Sequence, residues 1–137
     1  MAIWQTPKTD WTAEDRINFK DYNRIRNNIL YVYNKAVDMF GYFDIEDMGE
    51  EMESYEENWK VKYFNAFESN IDIINKHMMS KDYGFKQTFY PNGIFIGFSE
   101  LNRIEGAIRG MKGTIDGIIA GRRRLPFRLG YPKGLAV

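Results

Sequence analysis

Apolar positions recur at helical spacing in three stretches of the chain. The clearest is the last: Leu101, Ile104, Ile108, Met111, Ile115 and Ile118 stand at steps of 3, 4, 3, 4 and 3. That is the seam of a helix packed along its length. It predicts a helix from about Phe98 to Arg123, which Pro126 ends at the latest. A second apolar face starts near Glu50 and takes in Met52, Tyr55, Trp59, Tyr63, Phe67, Ile71, Ile74 and Met78, and the acidic segment 44–57 reads as a loop or as the polar start of this second helix. A first helix begins at Asn18, a good N-cap, with Asp21 three residues on as in a capping box. Its apolar positions are Tyr22, Ile25, Ile29, Val32 (or Tyr33) and Ala36, and Gly41 is its stop. Between the second and third helices, KDYGFKQTFYPNGIFIG breaks the period. Pro91-Asn92-Gly93 is a turn signal, and its aromatic flanks predict a short hairpin or loop over 83–97. The last residues, LPFRLGYPKGLAV, have no period. The pattern therefore predicts a mainly α fold, like a three-helix bundle, in one domain over residues 1–121. Residues 122–137 are expected to form an extended basic arm.

Composition narrows the chemistry. The 137 residues are 44% hydrophobic and 16% aromatic, enough for a core and for large contacts. No cysteine is present, so disulfides and thiolate metal sites are excluded, and His77 is the only histidine. Net charge is zero but unevenly spread. Residues 38–57 hold nine acids and no base, and residues 122–137 hold five bases and no acid. The N-terminal residues lack the pattern of a secretory leader, and no apolar run is long enough for a membrane span. The acidic stretch at Asp44 does not follow a calcium-loop pattern. Nothing selects a catalytic carboxylate pair among 19 acids, and the common phosphate-loop, serine-hydrolase and metalloprotease motifs are missing. The expectation is a protein that is not an enzyme and carries no cofactor or metal.

Two segments of the chain resemble each other. TDWTAEDRINFKDYNRIRNNI (9–29) aligns without a gap to TFYPNGIFIGFSELNRIEGAI (88–108). Thr9/Thr88, Ile17/Ile96, Phe19/Phe98, Asn23/Asn102, Arg24/Arg103, Ile25/Ile104 and Ile29/Ile108 are identical, and Trp11 faces Tyr90. Near a helix start, the Asn can bond the backbone of the incoming loop and the Arg can reach a carboxylate. The two Ile are neighbours on one face. A duplicated loop–helix unit is the simplest reading.

This pattern resembles a short motif in tail, baseplate and tail-fibre proteins of tailed phages that infect Gram-positive bacteria. There a Trp, a polar turn and an apolar residue precede Leu-Asn-x-Ile-Glu-x-x-Ile. In the first copy Trp11, Ile17, Asn18, Phe19, Tyr22, Asn23, Ile25 and Ile29 fall on the pattern. In the second, Tyr90, Ile96, Gly97, Phe98, Leu101, Asn102, Ile104, Glu105 and Ile108 do. Asn18 and Gly97 depart from the usual Thr cap, Tyr22 from Leu and Arg26 from Glu. The resemblance covers about 40 residues and implies a packing and attachment element without chemistry. It implies a virion protein of the tail, baseplate or fibre-attachment region, made in the host cytoplasm. Its partners would be copies of itself and other tail or baseplate proteins, with neither membrane nor nucleic acid expected. The alternatives are a head–tail connector or neck protein, and a cellular helical adaptor that binds nucleic acid through Arg122–Arg124.

Two further features bear on contacts. Gly106, Gly110, Gly113, Gly117 and Gly121 recur along the third helix, broadly opposite its apolar seam. Each costs a helix interior about 1 kcal/mol relative to Ala, so a close subunit contact along this stripe is one reading of them. Arg122, Arg123 and Arg124 could meet phosphate, favour a helix C-terminus, or dock near the acidic segment of a neighbouring copy. The residues expected to carry interactions are therefore Trp11, Asn23, Arg24, Tyr90, Asn102, Arg103, Gly106, Gly110, Gly113, Gly117, Arg122, Arg123 and Arg124.

Overall fold

The computed structural model describes residues 3–15, 18–52, 61–78 and 98–129. It is mainly helical, with α1 at Phe19–Phe40, α2 at Val61–His77 and α3 at Phe98–Leu129. The expected hairpin at 83–97, including Tyr90, lies outside the described residues, as do 130–137.

The start of α1 is fixed locally. The Asn18 side chain accepts from the backbone N–H of Lys20 (2.8 Å) and Asp21 (3.2 Å), and Asp21 accepts the Asn18 N–H (2.9 Å). This reciprocal cap satisfies donors that the first turn leaves open. At the other end Gly41 sits at φ 98° and returns its N–H to the Val37 carbonyl.

All three helices run the same way, because their contacts join like ends. Arg24, early in α1, meets Glu105, early in α3; Arg103, early in α3, meets Glu68, early in α2. Tyr22 packs against Phe64 and Phe67 at the start of α2. Parallel neighbours require the chain to travel back along the bundle between helices. The segment 41–52 makes that journey. Its Phe43 carbonyl accepts from Tyr33 near the end of α1, and its Met52 backbone reaches Asn23 near the start.

The core is built in layers, one residue from each helix. Aligning Asn23, Asn65 and Asn102 brings Tyr22, Phe64 and Leu101 into one set. The next sets are Ile25, Phe67 and Ile104; Ile29, Ile71 and Ile108; and Val32, Ile74 and Met111. All twelve are buried and belong to one apolar cluster. Burial of such side chains stabilises by about 1.5–3 kcal/mol each.

Three expectations need correction. The second apolar face does not make a helix from Glu50. Residues 50–52 are not helical: the Met52 backbone is bound by a side chain of α1, and α2 is described from Val61. Met52, buried from this segment, mimics a position on a helix face. The third helix does not end by Pro126 but runs through it to Leu129. A proline removes one backbone donor, and so close to a helix end that costs little further pairing. Finally, the α3 seam passes after Ile115 to Ile119, which packs on the core.

Candidate functional site

Four asparagines act as clamps on extended chain. Asn23 donates to the Met52 carbonyl and accepts the Met52 N–H, both at 2.8 Å. Asn102 holds Trp11 in the same way at 3.0 and 2.8 Å. Asn28 holds Gln5 (2.8 and 2.9 Å), and Asn70 holds Glu46 (2.9 and 2.7 Å). A side-chain amide has one donor edge and one acceptor edge, so it can pair with a peptide as a neighbouring strand would. Each clamp thus satisfies the backbone of a segment that forms no sheet among the described residues.

The expected roles of Asn23 and Asn102 therefore hold in kind, with a change of partner. Asn23 does not hold the loop entering its own helix; it holds the segment leading toward α2. Asn102 holds the segment leading into α1. Trp11 is buried, with its indole N–H donating to Glu105 of α3.

Around Trp11 lies the densest polar node. Glu105 is fully buried. Its Oε1 accepts the Lys8 N–H (3.0 Å) and Arg24 Nε (2.8 Å). Its Oε2 accepts Arg24 Nη2 (2.7 Å) and Trp11 Nε1 (2.7 Å). Four donors saturate this carboxylate. Arg24 also reaches Asp21 (2.8 Å), and its guanidinium lies 6.0 Å from the Trp11 ring centre. Burial pulls the Arg24 pKa down, but the bonds to Glu105 and Asp21 outweigh it and raise it, so Arg24 stays charged.

The same design appears one helix further round. Arg103 makes paired bonds to both oxygens of buried Glu68, one at 2.9 Å, and reaches Glu100 at 2.7 Å. Burial lowers its pKa and the two carboxylates raise it more strongly. Asp21–Arg24 and Glu100–Arg103 are matching pairs three residues apart.

Glu68 was not among the expected residues, and it exposes a third copy of the helical half-unit. Phe64-Asn65-Ala66-Phe67-Glu68-Ser69-Asn70-Ile71 aligns with Tyr22–Ile29 and with Leu101–Ile108. The clamps Asn28 and Asn70 occupy one repeat position, and Gln5 and Glu46 are equivalent along the segments they hold. The signal was the spacing of Asn65 and Ile71. It was hidden because Ala66 stands where Arg24 and Arg103 do, and Phe67 where the Ile does.

Of the remaining expected positions, the glycines of α3 are not part of this node, and Tyr90 lies outside the described residues. Gly106 and Gly110 are half-buried, while Gly113 and Gly117 are exposed. A Cβ built on Gly106, Gly113 or Gly117 would meet nothing within 4 Å, so packing inside the chain does not demand glycine there. Arg122, Arg123 and Arg124 fall in the last turns of α3. Beside the node, Trp4, Lys8, Asp10, Arg109, Lys112 and Asp116 line an open groove of about 600 Å³. Among the described residues no group of His, Asp and Glu is placed to hold a metal, and no helix is long and apolar enough to cross a membrane.

Comparison of the chain with protein families, with curated proteins and with solved structures finds no match.

Proposed function

We propose that the chain is a non-enzymatic structural protein of a tailed phage particle. In this reading it is a small tail, baseplate or fibre-attachment component, used in several copies and bound to other proteins of that region. One observation carries it. The blocks that resemble phage tail and fibre proteins spend their polar side chains on holding extended chain against helices. Asn23 and Asn102 do this through paired backbone bonds, Glu105 does it through the Lys8 N–H and the Trp11 indole, and Arg24 pairs with Glu105. A general acid, base or nucleophile needs a free proton or lone pair facing substrate, and Glu105 has neither to offer. Attachment of segments is what this chemistry supplies.

Antibody-labelled electron microscopy of phage particles from the source culture tests the assignment. Label on the tail, tail tip or fibre base is expected. Label at the head–tail junction would favour a connector instead, and unlabelled particles would overturn a virion role. Native mass spectrometry tests the multiple copies: a defined ring or trimer is expected, and a monomer at all concentrations contradicts it.

A further inference from the structure

α3 outlasts the helices beside it. In the repeat register, Phe40 at the end of α1 corresponds to Ile119, and His77 at the end of α2 to Thr114. Ala120–Leu129 therefore projects beyond both, about 15 Å of helix at 1.5 Å per residue. This overhang contains Arg122, Arg123, Arg124 and Arg128 and no acid. Gly117 and Gly121, which lead into it, are exposed with open space beside them.

Asp38, in the last turn of α1, and Asp116, on α3, are exposed nearer the base of the overhang, but the row of exposed acids lies elsewhere. Asp44, Glu46, Asp47, Glu50 and Glu51 face solvent along the return segment in the groove between α1 and α2, while Met48 and Met52 face inward. That segment starts level with Tyr33 and His77 and runs back toward Asn23. The overhang points the other way. Tyr33 corresponds to Lys112, so Arg122 stands about 15 Å further along the axis than the nearest of these acids. The arginines leave their own acidic row behind.

We infer that the α3 overhang of one copy docks on the acidic return segment, Asp44–Glu51, of a second copy. This rests on the multi-copy reading above and names its surfaces. Charge complementarity steers such a contact and fixes its register. It joins two different surfaces, so it repeats from copy to copy and closes a ring or extends a filament.

The full chain tests this by native mass spectrometry and sedimentation, with salt raised from about 0.05 M to about 0.5 M. Wild type is expected to assemble at low salt and dissociate toward the 16.2 kDa single chain at high salt. The triple variant Arg122→Glu, Arg123→Glu, Arg124→Glu should weaken self-association at least tenfold. Glu46→Lys with Glu50→Lys should do the same, and mixing the two variants should restore assembly, which unfolded chains could not do. Assembly that survives both variants overturns this contact and leaves the multi-copy reading standing. A wild type that is monomeric throughout removes both. Assembly lost only in the arginine variant, together with arginine-dependent binding of a short DNA duplex, would assign the overhang to nucleic acid and overturn the proposal.

Discussion

The grooves on the two sides of α1 do the same job by different means. Toward α3, extended chain is held by charge: Glu105 takes the Lys8 N–H, the Trp11 indole and two bonds from Arg24. Toward α2, the position equivalent to Glu105 is Arg26, which donates to the Gly49 carbonyl at 2.7 Å. Lys8 and Gly49 are equivalent, so one side chain reads the N–H and the other the C=O at the same place. The partner changes with it. Where α1 presents Arg24 and α3 presents Arg103, α2 presents buried Ala66. A buried carboxylate without its arginine would be an uncompensated charge, costing several kcal/mol. Losing the arginine on one helix and the glutamate on the next leaves neither stranded. The third interface is a version of the other two without the ion pair.

The largest effect should come from breaking the charged side. Glu105→Ala strands Arg24, the Trp11 indole N–H and the Lys8 N–H, and should cost about 3–5 kcal/mol in denaturant unfolding. The side without an ion pair has its own weak point. Gly49 sits at φ +79°, and a Cβ there would lie 2.8 Å from the Tyr63 ring and 2.9 Å from the Tyr22 hydroxyl. Gly49→Ala should cost about 2–3 kcal/mol through strain and displacement, while Lys8→Ala at the equivalent position should cost well under 1 kcal/mol. Equal costs would break the comparison. Asn102→Ala removes both bonds to the Trp11 backbone and should cost about 2 kcal/mol. Amide exchange at Trp11 should rise with it, while exchange at Met52, held by Asn23, stays slow. The smallest effect is at Asp15. Its bond from the Thr12 N–H, aided by Lys8, holds its pKa below the ordinary Asp value. The sign follows: its contribution is complete above about pH 4 and is lost as pH falls through the lower folded value. Asp15→Asn should flatten that acid limb slightly and leave neutral stability nearly unchanged.

Much of the bundle was legible in local pattern. Asn18, Asp21 and Gly41 mark the ends of α1 because caps act within a few residues, and the 3,4 spacing of Leu101–Ile115 marks the buried side of α3. The common direction of the helices was not legible, since periodicity is the same read either way along the bundle. Met52 misled for a related reason: it is buried from a segment that is not helical, and its spacing from Tyr55 and Trp59 in the sequence imitates a helix face. The Asn-Arg-Ile repeat pointed to Asn23, Arg24, Asn102 and Arg103, but their partners lie far away in sequence. Glu68 and Ala66 escaped because the third copy keeps Asn and Ile while losing the arginine that made the other two conspicuous.

The central claim is that the three helix interfaces are copies of one unit, with the α1–α2 copy lacking the ion pair. A double-mutant cycle on Arg26→Glu and Ala66→Arg tests it most directly. Each single change should destabilise, by leaving a carboxylate or a buried cation without its partner. The pair should recover much of that loss, with a favourable coupling of about 1–3 kcal/mol. Strictly additive losses would mean that positions 26 and 66 do not face each other as Glu105 and Arg24 do, and would contradict the claim.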